Sequence, residues 1–306
     1  MATHCLACFD KRVPEVVAVV GPTATGKSAL AVELALALDG EVVNADSMQL
    51  YRGMDIGTAK LTEPERQGVV HHLLDIWPVT YTATVAEYQQ LARDVVADVT
   101  GRGKVPIVVG GSGLYVRALL DPIEFPGTDP DIRAALEKEL GRVGPHALHE
   151  RLAAQDPAAA AAILPGNGRR IVRALEVIAL TGRPFSAGLP AYDSVYDAVQ
   201  IGLDCEDVVL DARVDARVDR MFDDGLVDEV RRLESLGLRA GRTSSRALGY
   251  QQVLAMLDGT CTEAEAREET KRATRRFVRR QRSWFRRDPR IHWAGPGSLT
   301  RPPTRN

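Results

Sequence analysis

The sequence lacks the features of membrane, secreted and disulfide-stabilised proteins. Its 306 residues contain no apolar run near the roughly 18 that a membrane span requires, so we expect no membrane-embedded helix. Residues 1–12 have no long apolar core, so we expect no secretory signal. Only four cysteines are present, too few and too scattered for a disulfide framework, and this favours the reducing cytoplasm. Nothing in the sequence demands more than a monomer.

The chain also lacks a strong net charge, because two oppositely charged segments compensate each other. Net charge is −2, yet residues 204–234 contain 11 acidic and 5 basic side chains, whereas residues 267–287 contain 10 basic and 2 acidic ones. The basic segment could be a solvated helix face that the acidic segment neutralises, or it could contact a polyanion. Phe277, Trp284 and Phe285 are expected to dock this helix while its arginines face outward.

Both ends of the chain are predicted to be loose tails, at residues 1–12 and 295–306. Cys5 and Cys8, with His4 beside them, have the spacing of half a zinc site. A structural zinc site needs four ligands, and no second pair of this kind occurs, so we expect no zinc here.

A phosphate-binding loop is the most informative stretch of the sequence. Residues 21–28 fit the pattern G-x-x-x-x-G-K-[ST], between an apolar β-branched run at 16–20 and a helix-forming run at 29–38. Strand, glycine loop and helix together aim backbone N–H groups at an anion. Such loops are typical of nucleotide-binding and ATP-binding proteins, although the loop alone does not identify its ligand. The predicted anion-binding residues are Gly21, Pro22, Thr23, Ala24, Thr25, Gly26, Lys27 and Ser28, with the Ser28 hydroxyl as a ligand for Mg²⁺.

Two further strands are predicted to end beside this loop. Residues 41–47 are predicted to form a second short strand that ends in the carboxylate of Asp46, and residues 105–109 lead through glycines to Ser112. In an open parallel sheet, ligands bind beyond the carboxyl ends of the strands. We therefore expect Asp46 and Ser112 near the loop, with Asp46 also suited to capping a turn.

The order of predicted elements indicates two domains. Strands and helices alternate up to about residue 120, which favours an α/β fold with a P-loop NTPase-like parallel sheet core flanked by helices. Residues 121–198 are predicted to be an inserted all-helical domain. The discontinuous core then comprises residues 13–120 and 199–290. Within it, residues 212–236 are predicted to form one polar helix, and Thr262 with Glu265 a capping box.

Taken together, the motifs resemble the tRNA dimethylallyltransferases, also called tRNA isopentenyltransferases. The similarity runs over residues 14–290 in consistent order, and as an ensemble it is far more specific than the phosphate loop alone. It covers residues 21–28, 44–51, 54–60, 71–75, 109–115, 173–177, 247–250 and 274–284. The chain departs from the family's usual pattern at Gly166-Asn167 and at Asp207.

This resemblance implies a prenyltransferase that modifies tRNA. The dimethylallyl group of dimethylallyl diphosphate would move to N6 of the adenosine 3′ of the anticodon, position 37, in tRNAs reading codons that start with U, and diphosphate would leave. Backbone amides 22–28, Lys27 and Mg²⁺ would stabilise the leaving group. Asp46 matches the family's general base. Arg246 matches a position that grips the diphosphate, and Thr23 and Ser112 match positions in the reaction channel.

The resemblance also implies a surface for the anticodon stem-loop, because the target base must leave its stack to react. Arginines and aromatic residues suit an unstacked RNA loop. From the residues alone, a cluster such as Arg169, Arg170 and Arg173 is more often surface charge. The positions implied to contact tRNA are Asp46, Ser47, Met48, Gln49, Ser112, Arg133, Arg169, Arg170, Arg173, Arg276, Arg279, Arg280 and Gln281.

Three other functions fit parts of the pattern. A phosphotransferase using ATP would share the loop, but the strand at 105–109 ends in glycine rather than in the magnesium-binding acid that such enzymes carry. Prenyl transfer to a free adenine nucleotide would need neither the helical insertion nor the arginine-rich helix. A non-catalytic RNA-binding protein would not need an intact phosphate loop together with Asp46.

Overall fold

The computed structural model describes residues 13–185 and 192–294. Within these ranges lies a six-stranded parallel sheet with the strand order β3-β2-β4-β1-β5-β6. The expected α/β fold with a parallel sheet is therefore confirmed. The predicted tails and the Cys5–Cys8 pair lie outside the described residues. The strands are β1 Val16–Val20, β2 Gly40–Asn44, β3 His71–His72, β4 Val105–Gly110, β5 Ala198–Leu203 and β6 Ile291–Ala294.

The central strand explains why the sheet needs helices on both faces. All five residues of β1 are buried, and they alternate between two apolar clusters. Val16, Ala18 and Val20 face one cluster, whereas Val17 and Val19 face the other. Parallel strands that are buried on both faces read as continuous apolar runs, as this one does.

Helices of the core unit cover these faces. Within the described part of the chain, the unit comprises residues 13–121 and 194–294. Two short 3₁₀ turns, Leu238–Ala240 and Ser244–Arg246, precede the last two helices. The helices are α1 Lys27–Leu38, α2 Glu63–Arg66, α3 Val85–Gly101, α4 Gly113–Leu120, α8 Asp207–Asp223, α9 Leu226–Ser235, α10 Tyr250–Leu257 and α11 Glu263–Phe285.

Two features of this unit differ from the sequence-based expectation. The single helix predicted over 212–236 is two helices, α8 and α9, because Gly225 adopts φ 101° and breaks the run. The strand β6 was not predicted, and it extends the core sheet beyond residue 290. The predicted capping box of α11 is present, with Thr262 Oγ1 accepting from the N–H of Glu265 at 3.3 Å.

A second compact unit spans Pro122–Asp193, and its described regular structure is helical. It contains α5 Pro130–Gln155, α6 Pro157–Ala162 and α7 Gly168–Thr181. Helix α5 is kinked at Gly144, which has φ 80° directly before Pro145. Asn167 caps α7 by accepting from the N–H of Arg170 at 3.3 Å. The apolar core of the unit includes Leu136, Leu148, Leu152, Ile171 and Leu175.

Candidate functional site

Three predicted site segments meet at the carboxyl edge of the sheet. The phosphate loop follows β1, Asp46 follows β2, and Ser112 follows β4, which lies between β2 and β1. Ser112 Oγ lies 3.3 Å from Ser47 Oγ and accepts from the Ser47 N–H at 3.4 Å. The structure thus brings Ser112 directly beside the residue that follows Asp46.

The phosphate loop has the backbone conformation that its glycines allow. Gly21 has φ 135°, and a Cβ there would lie 2.2 Å from the carbonyl oxygen of Leu203, so a side chain is excluded. Gly26 has φ 90° and leads into α1. Pro22 uses its carbonyl to accept from Lys27 Nζ at 2.6 Å and from Thr25 Oγ1 at 2.8 Å.

The expectation that amides 22–28 all face the ligand is wrong at two positions. Pro22 has no N–H group to donate. The Thr23 N–H donates to Gln281 Oε1 at 3.0 Å, so it is already engaged. The loop can therefore present the N–H groups of residues 24–28 to an anion.

The surroundings of Lys27 in this loop lower its pKa. Removal from bulk water and the neighbouring Arg217 lower its pKa to about 7, while Asp46 acts in the opposite direction. Burial likewise lowers the pKa of Arg217, and Asp46 again opposes the shift. These two cations and Asp46 therefore form one interacting group at the sheet edge.

Arg217 was missed by the sequence reasoning. It belongs to the acidic helix α8, where it looks like one of several surface charges. Its position directly before the buried Val218 is a weak signal, because that places it beside the apolar stripe of the helix. Its guanidinium donates to the Thr58 carbonyl at 3.4 Å.

Asp46 has one oxygen engaged in the local turn. Its Oδ1 accepts from the Met48 N–H at 2.9 Å, and its own N–H donates to Asn44 Oδ1 at 2.9 Å. Among the described residues, Oδ2 has no hydrogen-bond partner. Asp46 thus fills the turn role considered from sequence and still has an oxygen that can accept a proton.

Helix α11 contacts the site through Gln281 and Trp284. Gln281 is buried, and its Nε2 donates to the Gly111 carbonyl at 2.9 Å while its Oε1 accepts from Thr23. One side chain therefore joins the phosphate loop to the loop after β4. The indole of Trp284 lies against Gly113, where a Cβ would be only 2.0 Å away.

The arginines of α11 do not all face outward, contrary to expectation. Arg275 pairs with Asp215 at 2.5 Å and Arg279 with Asp211 at 2.7 Å, both on α8. Arg282 is buried and pairs with Asp204 at 2.7 Å and also with Asp207, one of the positions at which the sequence was expected to depart from the pattern it resembles. The acidic helix therefore neutralises one face of α11.

The opposite face of α11 retains exposed cations. Arg276 is exposed and pairs with Glu269 at 2.9 Å, and Arg280 lies over the ring of Phe277, 5.7 Å from its centroid. Of the four positions on this helix predicted to contact tRNA, Arg276 and Arg280 are exposed, and Arg279 keeps 40% of its side chain exposed beside Asp211. Gln281 is buried against the two loops instead.

The four arginines of the helical unit that were predicted to bind RNA fall into two groups, one paired with a buried carboxylate and one exposed. Arg133 and Arg173 both pair with the buried Glu176, at 2.5 and 2.9 Å, and Arg173 also donates to two backbone carbonyls. These contacts stabilise the fold of the unit. Arg169 and Arg170 are exposed at the start of α7.

Arg246 makes few contacts in the structure, and the described residues show no cluster of metal ligands. Arg246 is exposed at the end of a 3₁₀ turn, where its N–H donates to the Thr243 carbonyl at 3.2 Å, and the described residues provide its side chain with no hydrogen bond or ion pair. Within the same described ranges, no three His, Cys, Asp or Glu side chains are grouped to hold a metal. In the described part of the chain, no helix is long and apolar enough to span a bilayer.

Comparisons with known proteins agree on one family. The family model of IPP transferase matches residues 49–288. A tRNA dimethylallyltransferase of Streptomyces avermitilis is 70% identical over 280 residues, which cover 92% of this chain and 90% of the relative. Its counterpart in Streptomyces coelicolor is 69% identical over 288 residues, 94% of this chain and 92% of the relative.

Solved structures give the same result. A tRNA isopentenylpyrophosphate transferase from Bacillus halodurans aligns with a TM-score of 0.68 and 44% identity, covering 92% of this chain and 90% of that one. A eukaryotic dimethylallyltransferase acting on tRNA aligns with a TM-score of 0.79 and 26% identity, covering 92% and 73%.

Proposed function

The chain belongs to the IPP transferase family, and we propose that it transfers a dimethylallyl group from dimethylallyl diphosphate to N6 of the adenosine 3′ of the anticodon in tRNA. The convergence of the phosphate loop, Asp46 and Ser112 at one sheet edge carries this proposal. We further propose that the enzyme works in the cytoplasm as a monomer.

The diphosphate is the ligand of the phosphate loop. The N–H groups of residues 24–28 and the start of α1 face its oxygens, and Lys27 and Arg217 supply positive charge. Because charge develops on the diphosphate as its bond to carbon breaks, these groups stabilise the transition state more than the bound substrate. Arg217 thereby adds a cation that the sequence did not indicate, and the grip on the diphosphate that the family resemblance implies for Arg246 stays a prediction.

Mg²⁺ fits this loop as a cation coordinated by both the protein and the diphosphate. The Ser28 hydroxyl on the first turn of α1 can supply one oxygen, and Mg²⁺ usually completes its shell with phosphate oxygens and water rather than with a protein cage. The described residues contain no acidic cage, in keeping with that mode. When bound, the ion neutralises charge on the leaving diphosphate.

Asp46 removes the proton from N6. As the bond between N6 and the allylic carbon forms, the bond from that carbon to the diphosphate oxygen breaks, and the N6 proton passes to Oδ2 of Asp46. Its Oδ1 stays fixed by the Met48 N–H, so the carboxylate is oriented for this transfer. Ser112 Oγ lies on the same side of the site and is proposed to contact the adenosine or the allyl group.

Exposed arginines on both units are proposed to bind the tRNA backbone. Arg169 and Arg170 serve on the helical unit, and Arg276 and Arg280 serve on α11. Such contacts neutralise phosphates and make binding depend on salt. Arg133, Arg173 and Arg279 are proposed to support these surfaces through their ion pairs.

Product formation tests this function directly. The protein is incubated with dimethylallyl diphosphate, Mg²⁺ and unmodified tRNA that reads codons beginning with U, and the digested nucleosides are analysed. N6-(dimethylallyl)adenosine is expected. Its absence would contradict the proposal. ATP turnover without RNA would then support the phosphotransferase, and prenylation of a free adenine nucleotide would support the alternative with that acceptor.

Replacement of Asp46 by Ala tests the assignment of the base. We expect turnover to fall by about 10²- to 10⁴-fold, because general base catalysis is worth this much. Binding of tRNA, measured by filter retention, should stay within a few-fold of the wild type. An equal loss of tRNA binding would mean that the turn at Asp46 has collapsed and that the residue is structural.

A further inference from the structure

Glu229 is a buried carboxylate whose hydrogen bonds all reach another segment of the core unit. It lies on α9, is 3% exposed, and takes part in no ion pair among the described residues. Its Oε2 accepts from the N–H groups of Asp55 at 3.1 Å and Ile56 at 2.8 Å. Its Oε1 accepts from the Gly57 N–H at 3.2 Å and from the Tyr250 hydroxyl at 2.6 Å.

These contacts determine the conformation of the loop at residues 54–60. Three successive N–H groups converge on one carboxylate, which is the arrangement by which a backbone turn binds an anion. Burial of a carboxylate without a cation is costly unless such donors satisfy it. Gly57 also lies against the ring of Tyr250, where a Cβ would be 2.5 Å from a ring carbon, so the loop is tightly seated.

The next residue of the loop contacts the candidate site. The Thr58 carbonyl accepts from Gln49 Nε2 at 3.0 Å and from Arg217 Nη2 at 3.4 Å. Gln49 follows the turn that contains Asp46. Arg217 is the cation whose charge lowers the pKa of Lys27. One carbonyl thus accepts hydrogen bonds from two side chains that belong to different elements of the core unit.

We propose that Glu229 is a positioning residue, which holds residues 55–57 so that the Thr58 carbonyl directs Arg217 toward the phosphate loop and Gln49 toward Asp46. Glu229 touches no substrate in this role. It acts through Arg217 on the binding of the diphosphate. The identity of that ligand rests on the proposed function.

The Glu229→Gln variant tests the role, because the amide would set an NH₂ group against donors that now meet an oxygen. We expect the KM and the Kd for dimethylallyl diphosphate with Mg²⁺ to rise about tenfold, while the Kd for tRNA, which Gln49 is implied to contact, changes by a smaller factor. The Tyr250→Phe variant removes one donor and leaves the three N–H groups, so a smaller rise of about threefold is expected.

A matched control separates positioning from loss of stability. Glu41 is also a buried carboxylate, but it lies at the start of β2, whereas Asp46 and the candidate site lie beyond the end of that strand. Glu41 pairs there with Arg102 at 2.6 Å. Glu41→Gln should lower the melting temperature and leave the KM for dimethylallyl diphosphate unchanged. If Glu229→Gln behaves in the same way, the proposal is overturned.

A double-mutant cycle tests whether Glu229 acts through Arg217. In an Arg217→Ala background, Glu229→Gln should change the Kd for dimethylallyl diphosphate by less than about twofold, because the group that it positions is gone. An equal cost in both backgrounds contradicts the proposal. If Glu229→Gln does not fold, Tyr250→Phe decides alone, and an unchanged Kd there overturns the inference.

Failure of the proposed function has a different signature. Wild-type protein that binds dimethylallyl diphosphate but forms no prenylated adenosine contradicts the function, and the Kd values still decide the role of Glu229. Wild-type activity combined with an unaltered Glu229→Gln variant contradicts the positioning role alone. Wild-type protein that does not bind dimethylallyl diphosphate contradicts both.

Discussion

The protonation state of Lys27 should control the binding of dimethylallyl diphosphate near neutral pH. Withdrawal from water and the proximity of Arg217 lower the pKa of this lysine from 10.5 to about 7 in the free protein. A bound diphosphate places negative charge beside the ammonium group and must raise that pKa. Binding is therefore linked to the uptake of a proton by Lys27.

The size of the effect follows from the pKa of the free protein. With a pKa of about 7, roughly nine-tenths of the molecules carry the charged lysine at pH 6 and roughly one-tenth at pH 8. If only the charged form binds strongly, the affinity for dimethylallyl diphosphate falls about tenfold between these pH values. At pH 7 the binding reaction should take up about half a proton.

Isothermal titration calorimetry of the wild type and two variants measures this linkage. Lys27→Arg stays charged throughout and Lys27→Met is never charged, so each variant shares the titration of the ligand but not that of the lysine. We expect the Kd of the wild type, relative to Lys27→Arg, to rise about tenfold from pH 6 to pH 8. The factor by which the wild type binds dimethylallyl diphosphate more tightly than Lys27→Met should shrink to the same extent.

Two results would refute this reasoning. One is a ratio of the Kd values of the wild type and Lys27→Arg that stays constant over pH 6–8. This would mean that Lys27 remains charged in the free protein. The other concerns Arg217→Ala, which removes a cation that lowers the pKa of Lys27 and should move the midpoint of the wild-type curve upward. A midpoint that stays near pH 7 in that variant would show that Arg217 has no part in the shift.

Three further outcomes are expected. Gln281→Met should lower kcat about tenfold or more with little change in the tRNA Kd, because it frees the Thr23 N–H and unlinks two loops; unaltered kcat in single-turnover assays would contradict this. Arg276→Ala should weaken tRNA binding and reduce its salt slope by about one, and an unaltered slope would exclude a phosphate contact. Glu41→Gln should lower the free energy of unfolding by about 2 kcal/mol at pH 7. Arg102 holds the pKa of Glu41 below its usual range, so this difference, measured by urea denaturation, should shrink as pH falls below about 4; a constant difference would mean that the ion pair contributes nothing.

The sequence was a good guide wherever structure depends on neighbours in the chain. The strand at 16–20, the loop at 21–28 and the helix after it follow from apolar runs, glycine spacing and helix propensity within about 20 residues. The meeting of Asp46 and Ser112 at one edge followed from the rule that parallel strands share their carboxyl ends. The break at Gly225 was overlooked, although a glycine inside a helical pattern is a visible local signal.

Only the tertiary structure decided how distant polar side chains pair. In the sequence, nothing distinguishes Arg133 and Arg173 from Arg169 and Arg170. In the structure, the first two neutralise the buried Glu176, and the other two remain exposed. This choice depends on which helix faces pack together, and the pattern along one helix does not contain that information.

The same reason explains the residues that complete the site. Arg217, Glu229 and Gln281 act on segments that are 159 to 258 positions away along the chain, and each looks ordinary within its own helix. Local patterns determined the phosphate loop and the sheet that presents it. Long-range packing decided which cations reach the loop, which of its N–H groups stay available, and which carboxylate is left to accept a proton, because burial and hydrogen bonding are properties of the assembled core.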